Sequence, residues 1–144
     1  HSLKIMSPIT FSVNSINDLS KVAEKIHKLS SNNRIFLFDG EMGSGKTTLI
    51  KYIVALFGIK EASSPTFSII NTYLGNKSQS IYHVDCYRIE NENEIENIGL
   101  LEILYGKNLC FIEWPEKIHN FLPNNYVKID INIENNLRKI TIET

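Results

Sequence analysis

The chain has 144 residues, of which 42% are hydrophobic, and its 15 basic and 16 acidic side chains give a formal net charge of −1. This length and composition predict one domain with a substantial core, over residues 1–144. The balanced charge provides no general attraction to nucleic acid or to an anionic membrane, and no apolar run approaches the ~20 residues that span a bilayer. Without a secretory signal pattern, we expect a soluble, cytoplasmic protein that has no direct, non-specific affinity for tRNA or DNA.

The first part of the chain predicts strand, helix, strand and helix. "TFSV" is a short strand, and Ser15 and Asp18 resemble an N-cap and capping box for the helix that follows. "RIFLF" is almost wholly apolar and bounded by polar residues, which is typical of a central strand buried on both faces. The next helix begins near Thr47, carries apolar residues to Phe57, and is ended by Gly58. The apolar face of the first helix consists of Leu19, Val22, Ala23, Ile26 and Leu29.

The second part predicts two antiparallel hairpins with a helix and a strand between them. "PTFSIINTYL" and "SIYHVDCYRI" are separated by the turn "GNKSQ", and "YVKIDINIENNLRKITIET" alternates apolar and polar residues around "ENN". The intervening acidic segment is predicted to be helical at least from Leu100, and "NLCFIEW" to be a buried strand. Together with the motif G-x-x-x-x-G-K-[ST] at residues 40–47, between the central strand and the second helix, these elements predict a three-layer α/β domain of the P-loop NTPase type, whose mixed sheet has a parallel core and antiparallel hairpins.

Within "GEMGSGKTT", residues 40–47 match the phosphate-loop pattern G-x-x-x-x-G-K-[ST], after a buried strand and before a helix as the motif requires. Its glycines let backbone N–H groups turn toward phosphate oxygens, and the start of the helix adds positive potential. We predict that Lys46 bridges the β- and γ-phosphates, that the Thr47 hydroxyl binds magnesium, and that Thr48 reaches the α-phosphate. The predicted nucleotide-binding residues are Glu41, Met42, Gly43, Ser44, Gly45, Lys46, Thr47 and Thr48.

Two carboxylates compete for the position across the magnesium from Thr47. Glu113 directly follows "LCFI", where a Walker-B acid belongs, and Asp85 ends "IYHVD". Either could hold the metal, and Asp85 could instead orient the attacking water as a general base. The sequence leaves open which of them binds magnesium directly. We expect the catalytic residues to be Lys46, Glu113 and Asp85.

Arginines are few, and this bears on the type of phosphate chemistry. Of the three arginines, only Arg88 is expected near the site, because it follows Asp85 by three residues. Kinases that close a lid over an acceptor usually carry several phosphate-binding arginines. A lidded nucleotide kinase is therefore disfavoured, and slow hydrolysis that depends on a partner is favoured.

The segments "GEMGSGKTTL", "SSPTFSIINTY", "YHVDCYRI", "IGLLEIL" and "CFIEWPE", in this order and at these spacings, resemble the TsaE (YjeE) family of small bacterial P-loop ATPases. The resemblance covers nearly the whole chain. It implies a role in forming threonylcarbamoyladenosine in tRNA, with Mg²⁺ as cofactor and ATP as substrate. It also implies binding to a TsaB–TsaD heterodimer, so that tRNA is reached only through that complex and ATP hydrolysis supports repeated turnover.

By position, the resemblance assigns Thr47 and Glu113 to the magnesium, Lys46 to the phosphates and Asp85 to hydrolysis. Ser64, Pro65, Thr66 and Phe67 match a switch-like loop between the nucleotide and the partner. Trp114 matches a tryptophan beside the metal ligand, although it could simply pack, and His83 is more readily a structural histidine than a catalytic one.

The sequence is also compatible with two other functions: a nucleotide-gated adaptor with incidental hydrolysis, and a kinase acting on a small metabolite. The sequence does not identify the adenine pocket, although the start of the first helix and the C-terminal hairpin are plausible walls. The two cysteines, Cys86 and Cys110, have no metal-binding or CxxC spacing, which indicates buried free thiols.

Overall fold

The computed structural model describes residues 8–59, 69–75 and 79–144. Seven strands and four α-helices lie in these ranges, with a short irregular 3₁₀ segment, Pro115–Phe121, after the fifth strand. The strands are β1 (Ile9–Val13), β2 (Ile35–Gly40), β3 (Ile70–Leu74), β4 (Ser80–Asp85), β5 (Leu109–Glu113), β6 (Val127–Glu134) and β7 (Leu137–Glu143). The helices are α1 (Ile16–Leu29), α2 (Lys46–Ala55), α3 (Glu92–Asn97) and α4 (Leu100–Leu104).

The strands form one mixed sheet in the order β1-β7-β6-β2-β5-β4-β3. β2 pairs in parallel with β5 and β6, and β4 pairs in parallel with β5. The pairs β3–β4, β6–β7 and β1–β7 are antiparallel. The predictions of a central "RIFLF" strand, a parallel core and two antiparallel hairpins are therefore confirmed.

Each face of the sheet has its own hydrophobic core, which makes the fold three-layered. Alternate residues of a strand point to opposite faces, so Phe36 and Phe38 of β2 belong to the core covered by α1 and α2. Ile35 and Leu37 belong to the core covered by α3, α4 and the 3₁₀ segment. Because β2 is buried on both faces, the loop that follows its C-terminal end is anchored to a tightly packed strand.

Helix boundaries agree with most of the predictions and refine two of them. Ser15 caps α1 by accepting from the Asp18 N–H at 3.2 Å, but the Asp18 carboxylate accepts from the N–H of Asn14, one residue before the cap. The acidic segment contains two short helices, because Gly99 has a φ of 75° between them. None of the described helices is both long and apolar enough to cross a bilayer.

Candidate functional site

The loop from β2 to α2 has the backbone geometry of a phosphate loop. Gly45 precedes α2 with a φ of 105°, a backbone conformation that residues other than glycine rarely adopt. A Cβ atom on Gly40 would lie 2.8 Å from both the Ile131 carbonyl oxygen and the Ser44 Oγ, so the loop requires glycine there as well. The Ser44 N–H donates to the Glu41 carbonyl at 3.0 Å, which closes the turn. The N-terminal turn of α2 therefore faces the C-terminal ends of β2, β5 and β4.

Lys46 is the most unusual cation of the site, because it is only 5% exposed. Its ammonium group donates to the Gly40 carbonyl and lies 3.6 Å from the centroid of the Trp114 ring. That tryptophan has a left-handed backbone, with a φ of 56°, and its ring also contacts the Tyr87 ring at a centroid distance of 5.1 Å. A carbonyl dipole and an aromatic face thus compensate the buried charge.

The Thr47 hydroxyl faces the carboxylate of Glu113, at 3.1 Å from each of its oxygens. Glu113 ends β5, is 3% exposed, and accepts a hydrogen bond from His83 Nε2 at 2.6 Å through Oε2. These three side chains come from α2, β5 and β4, and the parallel order of the strands brings them together. Burial, followed by the negative charge of Glu113, raises the pKa of the nearby Tyr73 phenol.

Asp85 ends β4 directly beside Glu113, because the two residues are register partners across the parallel pair. Its Oδ1 accepts from the Tyr87 N–H at 3.1 Å, which fixes the turn after the strand. Unlike Glu113, Asp85 is only half-buried. The two competing carboxylates therefore differ in their surroundings, since Glu113 is buried and contacts Thr47, whereas Asp85 is the more exposed of the two.

A cavity of about 380 Å³ lies over the loop and the strand ends. Six of the eight predicted nucleotide-binding residues line it, whereas Glu41 and Ser44 border smaller cavities toward β6. Ser64, Pro65, Thr66 and Phe67 lie outside the described residues. The lining consists of Met42, Gly43, Gly45, Lys46, Thr47, Thr48, Asp85, Tyr87, Arg88, Glu113, Trp114 and Arg138.

The expectation that Arg88 would be the only arginine near the site was wrong. Arg138 of β7 lines the same cavity, and a Cβ atom on Gly45 would lie 3.6 Å from its guanidinium carbon and Nη1. Arg138 shares the α1/α2 side of β7 with Ile140 and Ile142, as the alternation of the strand requires. The alternation in the hairpin sequence predicts which face of β7 carries Arg138. That this face lies next to the phosphate loop depends on the order of the strands in the sheet.

A second cavity, of about 570 Å³, adjoins the first and shares Thr48 and Arg138 with it. Its walls are the start of α1 and the β6–β7 hairpin, with side chains such as Asn14, Ile16 and Ile133. These are the two segments that the sequence suggested as walls for the base. The cavity also includes Tyr52 from α2.

The oxygen atoms at the start of α2 and at the ends of β4 and β5 fit a magnesium ion. The Thr47 hydroxyl and the carboxylates of Glu113 and Asp85 are hard oxygen ligands, which Mg²⁺ prefers. Within the described ranges, no group of three or more His, Cys, Asp and Glu side chains could form an all-protein metal site. Mg²⁺ does not require one, because it commonly uses one or two carboxylates together with phosphate oxygens and water.

The mixed sheet, its two covering layers and the loop between β2 and α2 define a P-loop NTPase-like domain. A family model described as threonylcarbamoyl adenosine biosynthesis protein TsaE matches residues 13–140. The chain therefore belongs to the TsaE family.

Individual relatives agree with this assignment. The tRNA threonylcarbamoyladenosine biosynthesis protein TsaE of Rickettsia conorii is 34% identical over 135 residues, covering 92% of this chain and 76% of the relative. The protein of the same name from Treponema pallidum is 30% identical over 130 residues, covering 89% and 95%. The crystal structure of YdiB from Bacillus subtilis superimposes with a TM-score of 0.74 and 25% identity, covering 98% of this chain and 87% of that one.

Proposed function

We propose that this protein is a magnesium-dependent ATPase subunit that acts in the formation of threonylcarbamoyladenosine in tRNA. The observation that carries the proposal is the Thr47 hydroxyl facing the buried Glu113 carboxylate, at 3.1 Å from both oxygens, beside the buried ammonium of Lys46. The ammonium group of Lys46 and the Thr47–Glu113 pair, which can bind a metal, lie beside the same phosphate loop, and this arrangement suits a nucleoside triphosphate. The pathway is carried over from the names of the TsaE relatives.

In this proposal Thr47 and Glu113 would hold Mg²⁺, which would supply positive charge beside the triphosphate. Lys46 binds the β- and γ-phosphates after leaving the Trp114 ring. Asp85 lies beside Glu113 and lines the same cavity, and in this proposal its carboxylate orients a water molecule for attack. Direct metal binding is therefore assigned to Glu113, and water orientation to Asp85.

The two adjoining cavities suit the two ends of the nucleotide. The loop cavity is lined by Lys46, Arg88 and Arg138 and takes the phosphates. The second cavity is walled partly by apolar side chains, including Ile16 and Ile133, and takes the base and ribose. Arg138 and Thr48 line both cavities, and we propose that they contact the α-phosphate of a nucleotide that spans both.

The partner is proposed to be a TsaB–TsaD heterodimer, with tRNA contacted only through that complex. The formal charge of −1 gives the chain itself no general attraction for tRNA. Met42 and Tyr87, exposed by 66% and 48%, lie at the rim of the loop cavity, where a partner could sense the bound nucleotide.

The test is steady-state ATP hydrolysis by the protein alone and with a TsaB–TsaD pair, measured as released inorganic phosphate. We expect slow hydrolysis alone, faster hydrolysis with the pair, and none with Lys46→Ala. An Asp85→Ala variant that retains complex function without hydrolysis would support the adaptor function instead. The two arginines of the cavity remove one argument against a kinase, so transfer of phosphate to an added metabolite would refute the ATPase assignment.

A further inference from the structure

The buried carboxylate of Glu113 contacts a second side chain besides that of Thr47. His83 is 5% exposed, lies two residues before Asp85 on β4, and its Nε2 is 2.6 Å from Oε2 of Glu113. A carboxylate only accepts hydrogen bonds, so Nε2 is the donor in this contact. A neutral imidazole with its hydrogen on Nε2 is sufficient for this.

His83 does not itself border the loop cavity. The described lining of that cavity includes Asp85 and Glu113 but not His83. His83 is buried, and its polar contact among the described residues is with Glu113. We therefore expect an effect of His83 on the reaction to pass through Glu113.

We propose that His83 is a positioning residue for the metal-binding carboxylate, and this inference rests on the proposed function. By donating to Oε2, His83 holds the Glu113 side chain in one orientation and leaves Oε1 as the oxygen that is available to the metal. Mg²⁺ demands nearly ideal octahedral geometry and often uses a single carboxylate oxygen, so a fixed carboxylate favours its binding. Partners that orient a metal ligand in this way typically change metal affinity by about ten- to a hundredfold when they are lost.

Sheet register makes this arrangement rigid. His83 pairs with Phe111 and Asp85 with Glu113 across the parallel strands β4 and β5, and the residues of β5 are all buried. The imidazole therefore approaches Glu113 from the neighbouring strand, on the face of the sheet that α1 and α2 cover. A side chain held by two packed strands can fix a carboxylate more precisely than one on a loop.

The experiment compares two substitutions of His83, by glutamine and by asparagine, whose amide side chains differ in length by one methylene group. The His83→Gln side chain can place its amide nitrogen near the position of Nε2, whereas the His83→Asn side chain is too short to reach Glu113. Mn²⁺ is titrated into the protein with ADP and followed by electron paramagnetic resonance, and ADP affinity is measured separately with EDTA present. His119→Asn, at an exposed position, is the matched control.

We expect His83→Asn to weaken Mn²⁺ binding by about tenfold, His83→Gln to restore most of it, and His119→Asn to change nothing. ADP affinity in EDTA should be the same in all four proteins. In a Glu113→Gln background, His83→Asn should add no further loss, because a residue that acts through Glu113 is not additive with it.

A folded His83→Asn variant that binds Mn²⁺ as the wild type does would overturn the positioning role alone. Equal losses for Asn and Gln, or an equal loss of ADP affinity in EDTA, would assign His83 to the fold rather than to the metal and would also overturn it. If wild-type protein adds nothing to the Mn²⁺ affinity of ADP, the proposed metal site is absent and both proposals fail.

Discussion

Replacing Arg138 with glutamine removes a guanidinium group from the point where the two cavities meet. The side chain is half-buried, and its guanidinium carbon and Nη1 would lie 3.6 Å from a Cβ atom on Gly45. At this position it can contact a phosphate bound by the loop. The neighbouring Lys139 points to the opposite face of β7, where it is exposed and pairs with Glu134 at 3.0 Å.

The expected magnitude follows from burial. A hydrogen bond between ionised groups contributes about 1.5–3 kcal/mol, and the partial exposure of Arg138 argues for the lower end. A loss of about 1.5 kcal/mol corresponds to roughly a tenfold weaker ADP affinity. Lys139→Gln removes the same formal charge one residue away, and we expect it to change the affinity by less than about twofold.

Isothermal titration with ADP and with adenosine separates the contributions of phosphate and base. Arg138→Gln should weaken ADP binding and leave adenosine binding unchanged, and added salt should reduce the difference between wild type and variant. Equal losses for Arg138→Gln and Lys139→Gln would mean that only the overall surface charge matters. An Arg138→Gln variant that binds ADP as tightly as the wild type would refute the assigned contact.

Three further predictions concern other parts of the molecule. Trp114, the single tryptophan, should change its fluorescence when ADP binds, because Lys46 Nζ lies 3.6 Å from its ring; an equal change in Lys46→Met would contradict this. Arg34→Met should lower the free energy of unfolding in urea by about 2–3 kcal/mol, because Arg34 donates to three carbonyls around the end of α4, and a loss below about 1 kcal/mol would contradict it. Burial raises the pKa of the Cys86 thiol to about 12, so iodoacetamide at about pH 8 should modify it only after unfolding, as mass spectrometry would show.

Local sequence patterns were sufficient to predict the central strand and the loop that follows it. "RIFLF" has no polar residue after its first, and only a strand covered on both faces can bury such a run. Glu113 was found by the same logic, since a carboxylate directly after the apolar run "LCFI" is expected at the C-terminal end of a buried strand. These features depend on one segment at a time, which is why a single sequence is enough to predict them.

Contacts between segments were harder to predict, as His83 and Arg138 illustrate. The contact of His83 with Glu113 requires β4 to pair in parallel with β5, in the register that aligns Asp85 with Glu113. The approach of Arg138 to Gly45 requires β7 to lie two strands from β2, with β6 between them. Neither the register nor the strand order is encoded in a short pattern, because both are selected by the packing of the whole sheet.

The backbone of Trp114 shows how closely the site and the fold depend on one another. A left-handed φ of 56° is unfavourable for a large side chain, by about 1–3 kcal/mol, and such conformations persist where surrounding contacts determine them. Here the ring is held by the Lys46 ammonium and the Tyr87 ring, while Pro115 begins the next helical turn. The same turn keeps Glu113, one residue earlier, at the end of β5 and facing Thr47. The strained residue therefore connects the lysine of the loop to the strand end that carries the carboxylate, and a change at either one should be transmitted to the other.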